Sequence, residues 1–514
     1  MKEVNKIMEF LIKIRPTSIT IQPGMEATKF LQPLLGLFEY EDEFTETTNV
    51  LGYIIDEETD TLFFHRGVDV NYVCRLISNG GGKIRTEVVD PTPCRNIEFE
   101  YDEIVPPRDE DQEDVIDFIT SSRLHSMDAD RSQLFLVKKT GFGKTYCAGV
   151  GLCKYGVKTL IIVHRENLIN QWQNSLRNMI GMTDKDMHVI ESAEEIYNIT
   201  HNEHDFDYDV YIMMHATFRA GMKRVGSMKT MSNFTKNLGI GLKIIDEAHL
   251  EFRNTLLIDF TFNVKRNLYI TATDGRSAKE ENSIFKHVFS NAVYYKKPSI
   301  SSDIPRKWVN YVIVDVNSHC KPNIYKWKVA GGRGMNPASY GKWVIQHDKK
   351  KTHFKVCRDL LRIIFERDEH AKVLLFMPLI ELCEECAYFC RMELNYDDSF
   401  GYDLKIKTVN SHNSKSENDR NKSADVIVTT ITSCGTGTDI HGITDIISCS
   451  PFVSKITAEQ VFGRIRYCGK ICHYYDIYDV SVPMDKFWIK SRSKKMTELA
   501  LNTSYMSWNE DENK

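Results

Sequence analysis

The chain has 514 residues, of which 42% are hydrophobic and 27% charged, an ordinary composition for a globular protein. Because one hydrophobic core rarely organises so many residues, the length predicts two to four domains. We find no apolar run of the roughly eighteen residues that a membrane helix needs, and the first residues do not resemble a secretory signal. The 13 cysteines are odd in number and scattered, which favours reduced thiols in a cytosolic compartment.

The formal net charge of -5 is unusual for a nucleic-acid-binding protein, but local charge matters more than the average. No acidic residue lies between Val210 and Ile245, and residues 486–495 mix basic with aromatic side chains. Each stretch is a candidate nucleic-acid surface, with Phe487 or Trp488 as base-stacking groups; solvated charge and a core-packed terminal helix remain the alternatives. The basic residues of the first stretch are Arg219, Lys223, Arg224, Lys229, Lys236 and Lys243.

Short β-rich apolar runs are separated by spacers of helical length, which is typical of a parallel α/β domain. The rhythm lapses between about residues 296 and 351 and then resumes, so we predict two similar lobes. A hairpin is predicted within residues 49–64 of a different, α+β amino-terminal module. The predicted domains are an accessory nucleic-acid-binding domain (1–103), a first lobe (104–297), a second lobe (298–490) and a polar tail (491–514). The predicted strands are 133–137, 159–163, 209–214, 243–245, 267–270, 371–377, 425–430, 445–449 and 473–480.

A phosphate-binding loop is predicted at residues 138–145, directly after the first strand of lobe 1 and before a helix. Glycines allow backbone amides to close around phosphate oxygens, the lysine supplies a point charge, and the threonine offers a hydroxyl to magnesium. Lys138 stands where the simplest motif has glycine. The predicted nucleotide-binding residues of the loop are Thr140, Gly141, Phe142, Gly143, Lys144 and Thr145.

An acidic box, Ile244-Ile-Asp-Glu-Ala-His249, follows about a hundred residues later at the end of an apolar run. Asp246 is placed to hold magnesium, and Glu247 is placed to polarise the water that attacks a phosphate. Together with the loop, this box predicts an ATP-hydrolysing site that uses Mg²⁺.

With these motifs in order, residues 105–482 resemble superfamily 2 helicases with a DEAH box, which implies two tandem RecA-like lobes. By this resemblance Arg108 and Gln112 recognise adenine, although Asp111 replaces the usual aromatic residue. His164 and Arg165 match motif Ia, which Gln171-Trp172 follows, and Thr217 matches the next strand-end motif; both motifs contact the nucleic-acid backbone in relatives. The resemblance assigns the coupling of ATP and nucleic-acid sites to His249, Thr271 and Thr273.

In the second lobe, residues 373–377 match motif IV, and the motif V match implies that Thr430 binds nucleic acid while Gly437 and Asp439 bind nucleotide. Gln460 and Arg464 match motif VI, where relatives orient the water and stabilise transition-state charge with an arginine finger. Relatives carry a second arginine three places beyond the first, whereas this chain has Tyr467 there and Arg466 before it. Arg466 is therefore also a candidate catalytic residue. The resemblance implies a site that both lobes complete and that ATP closes.

Leu62-Phe-Phe-His-Arg-Gly67 resembles a segment that the UvsW-type helicases of tailed phages carry before their first lobe. That resemblance implies sequence-independent remodelling of branched DNA, by branch migration, fork regression and annealing, in phage replication, recombination and repair. It also implies single-stranded-DNA-binding or recombination proteins as partners and a location in the host cytoplasm. An RNA helicase, a restriction-type translocase and an ATP-gated binding module are the open alternatives.

Two cysteine groups raise the question of zinc. Cys383, Cys386 and Cys390 have spacings that also fit one helix face, and Cys468 with Cys472-His473 follows motif VI. Packing within the fold is the favoured interpretation of both groups.

Overall fold

A computed structural model describes residues 8–42, 47–97, 104–120, 132–139, 141–272, 275, 279–295, 307–320, 337–396, 403–435, 440–452 and 455–509. The chain divides into two compact units, Met1–Ser301 and Ser302–Lys514. Each unit contains one of the two predicted parallel-sheet lobes, so the predicted fold class is confirmed.

The amino-terminal module is built on a five-stranded sheet of order β5-β6-β2-β1-β7. Its predicted hairpin is the antiparallel pair β5–β6, and two helices cover the sheet face that carries buried Phe10 and Ile12. The elements are β1 Glu9–Ile14, β2 Ser18–Gln22, α1 Gly24–Leu35, β3 Glu39–Asp42, β4 Thr47–Val50, β5 Tyr53–Asp56, β6 Thr61–His65, α2 Val70–Asn79 and β7 Lys83–Val88. The strands β3 and β4 form a separate antiparallel pair.

Lobe 1 follows in the same unit and contains a seven-stranded, all-parallel sheet of order β10-β11-β9-β12-β13-β8-β14. Its central strands are buried on both faces, which explains why they appear in the sequence as continuous apolar runs rather than alternating ones. The strands are β8 Gln133–Val137, β9 Thr159–Val163, β10 Met187–Ile190, β11 Val210–Met214, β12 Leu242–Asp246, β13 Arg266–Thr271 and β14 Val293–Tyr295. The helices are α3 Glu110–Thr120, α4 Lys144–Tyr155, α5 Glu166–Ser175, α6 Ala193–Thr200, α7 His215–Val225, α8 Met228–Met231, α9 Asn233–Leu238, α10 Phe252–Thr261 and α11 Lys279–Val288.

A buried polar network joins the amino-terminal module to lobe 1. His65 Nε2 lies 3.1 Å from Asp259 Oδ2, and the Thr17 hydroxyl donates to the Asp259 carbonyl at 2.7 Å. The same carboxylate accepts a hydrogen bond from the Tyr269 hydroxyl at 2.8 Å and forms an ion pair with Lys243. Lys243 is completely buried, so its prediction as part of a basic surface is wrong; the ammonium neutralises a buried acid instead.

Lobe 2 contains a second seven-stranded, all-parallel sheet, of order β17-β18-β16-β19-β20-β15-β21. The strands are β15 Val309–Val316, β16 Val373–Phe376, β17 Ile406–Val409, β18 Val426–Thr429, β19 Asp445–Ser448, β20 Cys472–Asp479 and β21 Thr503–Ser507. The helices are α12 Pro337–His347, α13 Thr352–Arg367, α14 Ile380–Tyr396, α15 Lys415–Asn421, α16 Lys455–Phe462 and α17 Pro483–Leu499. No helix in the described part of the chain is long and apolar enough to cross a membrane.

The predicted polar tail at residues 491–514 is wrong for residues up to 508. Helix α17 continues to Leu499, and β21 pairs with β15 at one edge of the lobe 2 sheet. Arg492 is completely buried and bonds both carboxylate oxygens of Asp476, at 2.8 to 3.1 Å. Trp508 is also buried and donates to Asp359 at 3.0 Å. This segment is part of the lobe, because its buried side chains complete the core.

Candidate nucleotide-binding site

The phosphate loop joins the carboxyl end of β8 to the amino end of α4, the position that the sequence predicted. Gly141 and Gly143 have φ angles of +84° and +96°, a backbone conformation that only glycine adopts without strain. Lys144 begins α4, and its ammonium donates to the carbonyls of Lys138 at 2.8 Å and Lys139 at 3.3 Å. The loop therefore presents a cation and a helix amino terminus together, a combination that binds phosphate.

Gln112 holds the phosphate loop from the side of α3. Its amide nitrogen donates to the Phe142 carbonyl at 2.9 Å, and its oxygen accepts from the Arg108 backbone amide at 2.8 Å. A Cβ atom at Gly143 would lie 2.6 Å from the Gln112 amide, so the close approach also requires glycine. The predicted adenine-reading pair is thus next to the loop, with the Arg108 side chain half exposed beside Asp109.

Lys138, the departure from the simplest loop motif, is packed inside lobe 1. Its ammonium lies 4.6 Å from the centre of the Phe142 ring and 5.1 Å from that of Tyr295. Burial lowers the pKa of Lys138. Cation–π contacts stabilise a lysine in such a place, so the loop keeps its shape without a glycine there.

The acidic box lies at the carboxyl end of β12, on the same sheet edge as the phosphate loop. The Lys138 amide donates to the carbonyl of Thr271 at the end of β13, and the Ala248 amide donates to Ile270. Because β13 lies between β8 and β12, these bonds fix the spacing of loop and box. The carboxyl ends of parallel strands are where such folds bind ligands.

Asp246 is buried and held by a partner that the motifs did not reveal. The Trp172 indole N–H donates to Asp246 Oδ2 at 2.9 Å, and the Glu247 amide donates to Oδ1 at 3.0 Å. Burial and the adjacent Glu247 carboxylate raise the pKa of Asp246 to about 6, against the opposing effects of Trp172 and Lys144. The Gln171-Trp172 pair was visible in the sequence, but its contact with the box was not.

Glu247 has a φ angle of +49°, a left-handed conformation that is rare for a residue with a side chain. Its Oε2 lies 3.4 Å from the Ala272 amide and 3.4 Å from His249 Nδ1, and that ring nitrogen lies 2.8 Å from the Thr271 hydroxyl. His249, a predicted coupling residue, therefore lies in contact both with Thr271 and with the predicted catalytic acid. Thr273, the third predicted coupling residue, lies outside the described residues.

The donor set fits a hard divalent cation. A carboxylate from Asp246 and a hydroxyl from Thr145 are oxygen ligands of the kind that Mg²⁺ prefers, and the raised pKa of Asp246 marks an acid that a cation would stabilise in its charged form. When bound there, Mg²⁺ would supply positive charge that offsets the negative charge of a phosphate group.

The predicted nucleic-acid contacts are mostly buried. Thr217 and Thr430 are each 6% exposed, and the Thr430 hydroxyl bonds Ser433 at 2.9 Å. Both ring nitrogens of His164 are buried without a hydrogen-bond partner among the described residues, and burial with the nearby Arg165 lowers its pKa to about 4. Arg165 itself is half buried. None of the four presents a freely exposed charge or hydroxyl at the surface.

In lobe 2, Gln460 is buried on α16, and Arg464 is half buried in the turn that follows. Arg466 is exposed, as is Tyr467 beside it. The predicted nucleotide-binding residues Thr140, Gly437 and Asp439 lie outside the described residues.

The cysteines of the first group are packed in the core of lobe 2. Cys386 and Cys390 lie 3.9 Å apart on α14, and Cys357 Sγ lies 3.3 Å from Cys449 Sγ in the same core. Burial raises the pKa of the Cys357 and Cys386 thiols. Within the described ranges, no group of three or more histidine, cysteine or acidic residues has the arrangement to hold a metal ion.

The remaining basic candidates divide between surface and core. Arg219, Lys223, Arg224, Lys229 and Lys236 are exposed. In the second basic stretch Phe487 is 61% exposed, whereas Trp488 is 2% exposed and cannot stack on a base. A core-packed terminal helix with exposed lysines, one of the two alternatives, is what the structure contains.

Two comparisons by sequence find similar proteins. Residues 105–276, which contain both the phosphate loop and the acidic box, match the family "Type III restriction enzyme, res subunit". A curated relative named "Putative helicase 161L", of Invertebrate iridescent virus 6, is 23% identical over 347 residues, which span 66% of this chain and 69% of the relative.

Two solved structures share the fold. A structure of Mss116p bound to ssRNA and AMP-PNP has a TM-score of 0.50 and 14% identity, covering 78% of this chain and 75% of that one. S. cerevisiae Dbp5 bound to RNA and ADP BeF3 has a TM-score of 0.50 and 11% identity, covering 86% of this chain and 94% of the other.

Residues 105–276 therefore resemble a restriction-enzyme family, a longer part of the chain resembles a relative named as a helicase, and the two-lobe fold is shared with the two solved structures.

Proposed function

We propose that this chain is an ATP-dependent DNA helicase that moves along the sugar-phosphate backbone and remodels branched DNA. The observation that carries the proposal is the meeting of Lys144, Asp246 and Glu247 at one edge of the lobe 1 sheet, tied together by backbone bonds through β13. A phosphate-binding cation, a metal-holding acid and a water-polarising acid are the groups that phosphoryl transfer to water requires.

In this proposal Glu247 orients the attacking water, and Asp246 with Thr145 holds Mg²⁺. Gln460 and Arg464 act in hydrolysis from lobe 2, as their match to motif VI implies. Arg464 is the favoured arginine finger, because it holds the position of the first arginine of motif VI and is half buried, whereas Arg466 is exposed.

The contact of Glu247 with His249, and of His249 with Thr271, supports a coupling role for this group. Each step of hydrolysis changes the charge next to Glu247, and the chain of contacts carries that change toward the end of β13. Movement of lobe 2 along the nucleic acid then follows the nucleotide state.

DNA is the proposed substrate because lobe 1 matches a restriction-enzyme family. The two solved structures contain RNA, but at 14% and 11% identity they bear on the fold alone. The preference for branched DNA rests on the likeness of residues 62–67 to UvsW-type helicases.

The proposal is tested by comparing how strongly different nucleic acids stimulate ATP hydrolysis. ATP turnover by the full chain is measured with a four-way DNA junction, plain duplex DNA, single-stranded DNA and single-stranded RNA at matched nucleotide concentration. We expect the junction to stimulate turnover most. Stronger stimulation by RNA would replace the DNA proposal with the RNA helicase alternative, and equal stimulation by junction and duplex would remove the branched-DNA preference.

A further inference from the structure

A cleft of about 480 Å³ lies at the outer edge of the lobe 2 sheet, away from the residues of the predicted nucleotide site. It runs along the edge strand β17 and is flanked by α14 and α15. Its charged lining residues are Glu384, Arg391, Lys405, Lys407, Glu417 and Arg420.

The four cations of the cleft have no ion-pair partner among the described residues. Arg391 Nε is buried and lacks a hydrogen-bond partner in the described part of the chain, although most buried guanidinium groups are paired. Lys405, Lys407 and Arg420 are exposed. A set of cations gathered around one concave surface without acidic partners is suited to an anionic ligand.

The two carboxylates of the cleft reduce this field without reversing it. Glu384 lies 3.8 Å from His412 Nδ1, which shields its charge whenever the imidazole is protonated. Glu417 lies on the opposite wall, on α15, in the same helix as Arg420. The cations outnumber the acids, so the cleft attracts phosphate.

The edge strand itself argues against a peptide ligand. An added peptide strand needs free backbone groups along the edge. The Thr408 carbonyl already accepts hydrogen bonds from Asn413 Nδ2 and Asn421 Nδ2, both at 2.9 Å. Lys405 and Lys407 instead project from alternate positions of an extended segment, roughly 6.6 Å apart, with buried Ile406 between them. That spacing suits successive phosphates of an extended strand.

An exposed aromatic ring lies on the helix that forms one wall. Tyr388 is 64% exposed on α14, one helical turn from Glu384 and from Arg391, and therefore on the same face. Proteins that bind single strands without sequence preference combine a basic groove with aromatic rings on which bases stack.

We propose that this cleft binds the backbone of a single nucleic-acid strand, with Lys405, Lys407 and Arg420 on phosphates and Tyr388 stacked on a base. The proposal rests on the proposed function and adds a second grip on the strand within lobe 2. Stacking on a tyrosine ring accepts any base, so the site discriminates little between bases.

The salt dependence of binding tests this site. Binding of a fluorescent oligothymidylate to the full chain is followed by anisotropy over a range of salt concentrations. For Lys405→Gln/Lys407→Gln, the slope of log K against log[salt] should be smaller by about 1.4, because two phosphate contacts are lost. Tyr388→Ala should weaken binding about fivefold or more, while Tyr388→Phe retains it.

The matched control is Lys154→Gln/Lys185→Gln, which removes the same charge from exposed lysines at the amino edge of the lobe 1 sheet. Equal slopes in the two double variants would overturn the cleft proposal and leave the helicase proposal standing. A wild-type chain that binds no oligonucleotide would remove both. Polyglutamate is added as a competitor in the same assay. If it displaces the oligonucleotide from the wild type but not from Lys405→Gln/Lys407→Gln, while both double variants keep the wild-type salt slope, the cleft would be assigned to an acidic protein instead.

Discussion

The bond between Trp172 and Asp246 joins residues on α5 and β12 that are far apart in the sequence. The sequence predicted Lys144, Thr145, Asp246 and Glu247 because each belongs to a short run of consecutive residues with a known spacing. Trp172 makes its contact through the fold, so no local pattern could assign it. The burial of Lys243 was hidden for the same reason, since its partner Asp259 lies on α10.

Trp172→Phe is predicted to weaken Mg²⁺ binding while leaving the fold intact. Phenylalanine retains most of the buried ring but removes the N–H that orients Asp246 at 2.9 Å. Losing a hydrogen bond to a metal-holding side chain costs about 10- to 100-fold in metal affinity. Titration of Mn²⁺ into the ADP complex, by calorimetry, measures the change directly.

Trp343→Phe is the control, because it also removes a buried indole but lies in lobe 2, outside the unit that contains the phosphate loop and the acidic box. ADP affinity without a divalent cation should be unchanged in both variants. A Trp172→Phe variant with wild-type Mn²⁺ affinity would show that the indole only fills space.

At the scale of elements, the apolar runs predicted strands well where the strands are buried on both faces. The strand at residues 133–137 and that at 159–163 were predicted with their observed bounds. The eight-residue β15 was missed because residues 296–351 have no regular alternation of apolar runs and spacers, and β21 because its residues are largely exposed and polar. Edge strands bury little, so their sequences resemble loops.

Helix α17 was assigned in part to a tail because residues 491–499 contain four lysines and serines but only two apolar residues. Its anchor is a buried arginine, and Arg492→Met is predicted to leave the Asp476 carboxylate uncompensated in the core. Breaking one partner of a buried ion pair costs about 3–5 kcal/mol. Urea unfolding followed by tryptophan fluorescence measures the loss.

Lys494→Met, an exposed change two residues further along the same helix, is the control and should change the stability by less than about 0.5 kcal/mol. An Arg492→Met variant as stable as this control would mean that residues 491–508 contribute little to lobe 2.

At the scale of the whole molecule, the sequence predicted the amino-terminal module and the two lobes but not how the module is attached. Residues 62–67 stood out as a family likeness, and the structure gives them a physical role. A Cβ at Gly67 would lie 2.2 Å from the carbonyl oxygens of His287 and Val288, so glycine allows the two backbones to meet. With His65 bound to Asp259, the module and lobe 1 form one compact unit, as the contact pattern indicates.

The central claim is that the edge formed by Lys144, Asp246 and Glu247 hydrolyses ATP to drive movement on nucleic acid. Glu247→Gln keeps the shape of the side chain but removes the charge that polarises water, so the variant should bind ATP with wild-type affinity and lose turnover by on the order of a thousandfold. Lys144→Ala should lose turnover together with ATP affinity, because its ammonium holds the outer phosphates.

The most direct test measures ATP binding and steady-state turnover of both variants, with saturating four-way junction DNA present. The prediction is retained binding without turnover for Glu247→Gln, and loss of both for Lys144→Ala. Turnover near the wild-type rate in both variants would contradict the assignment of this edge as the catalytic site, and with it the proposal that the chain is a motor.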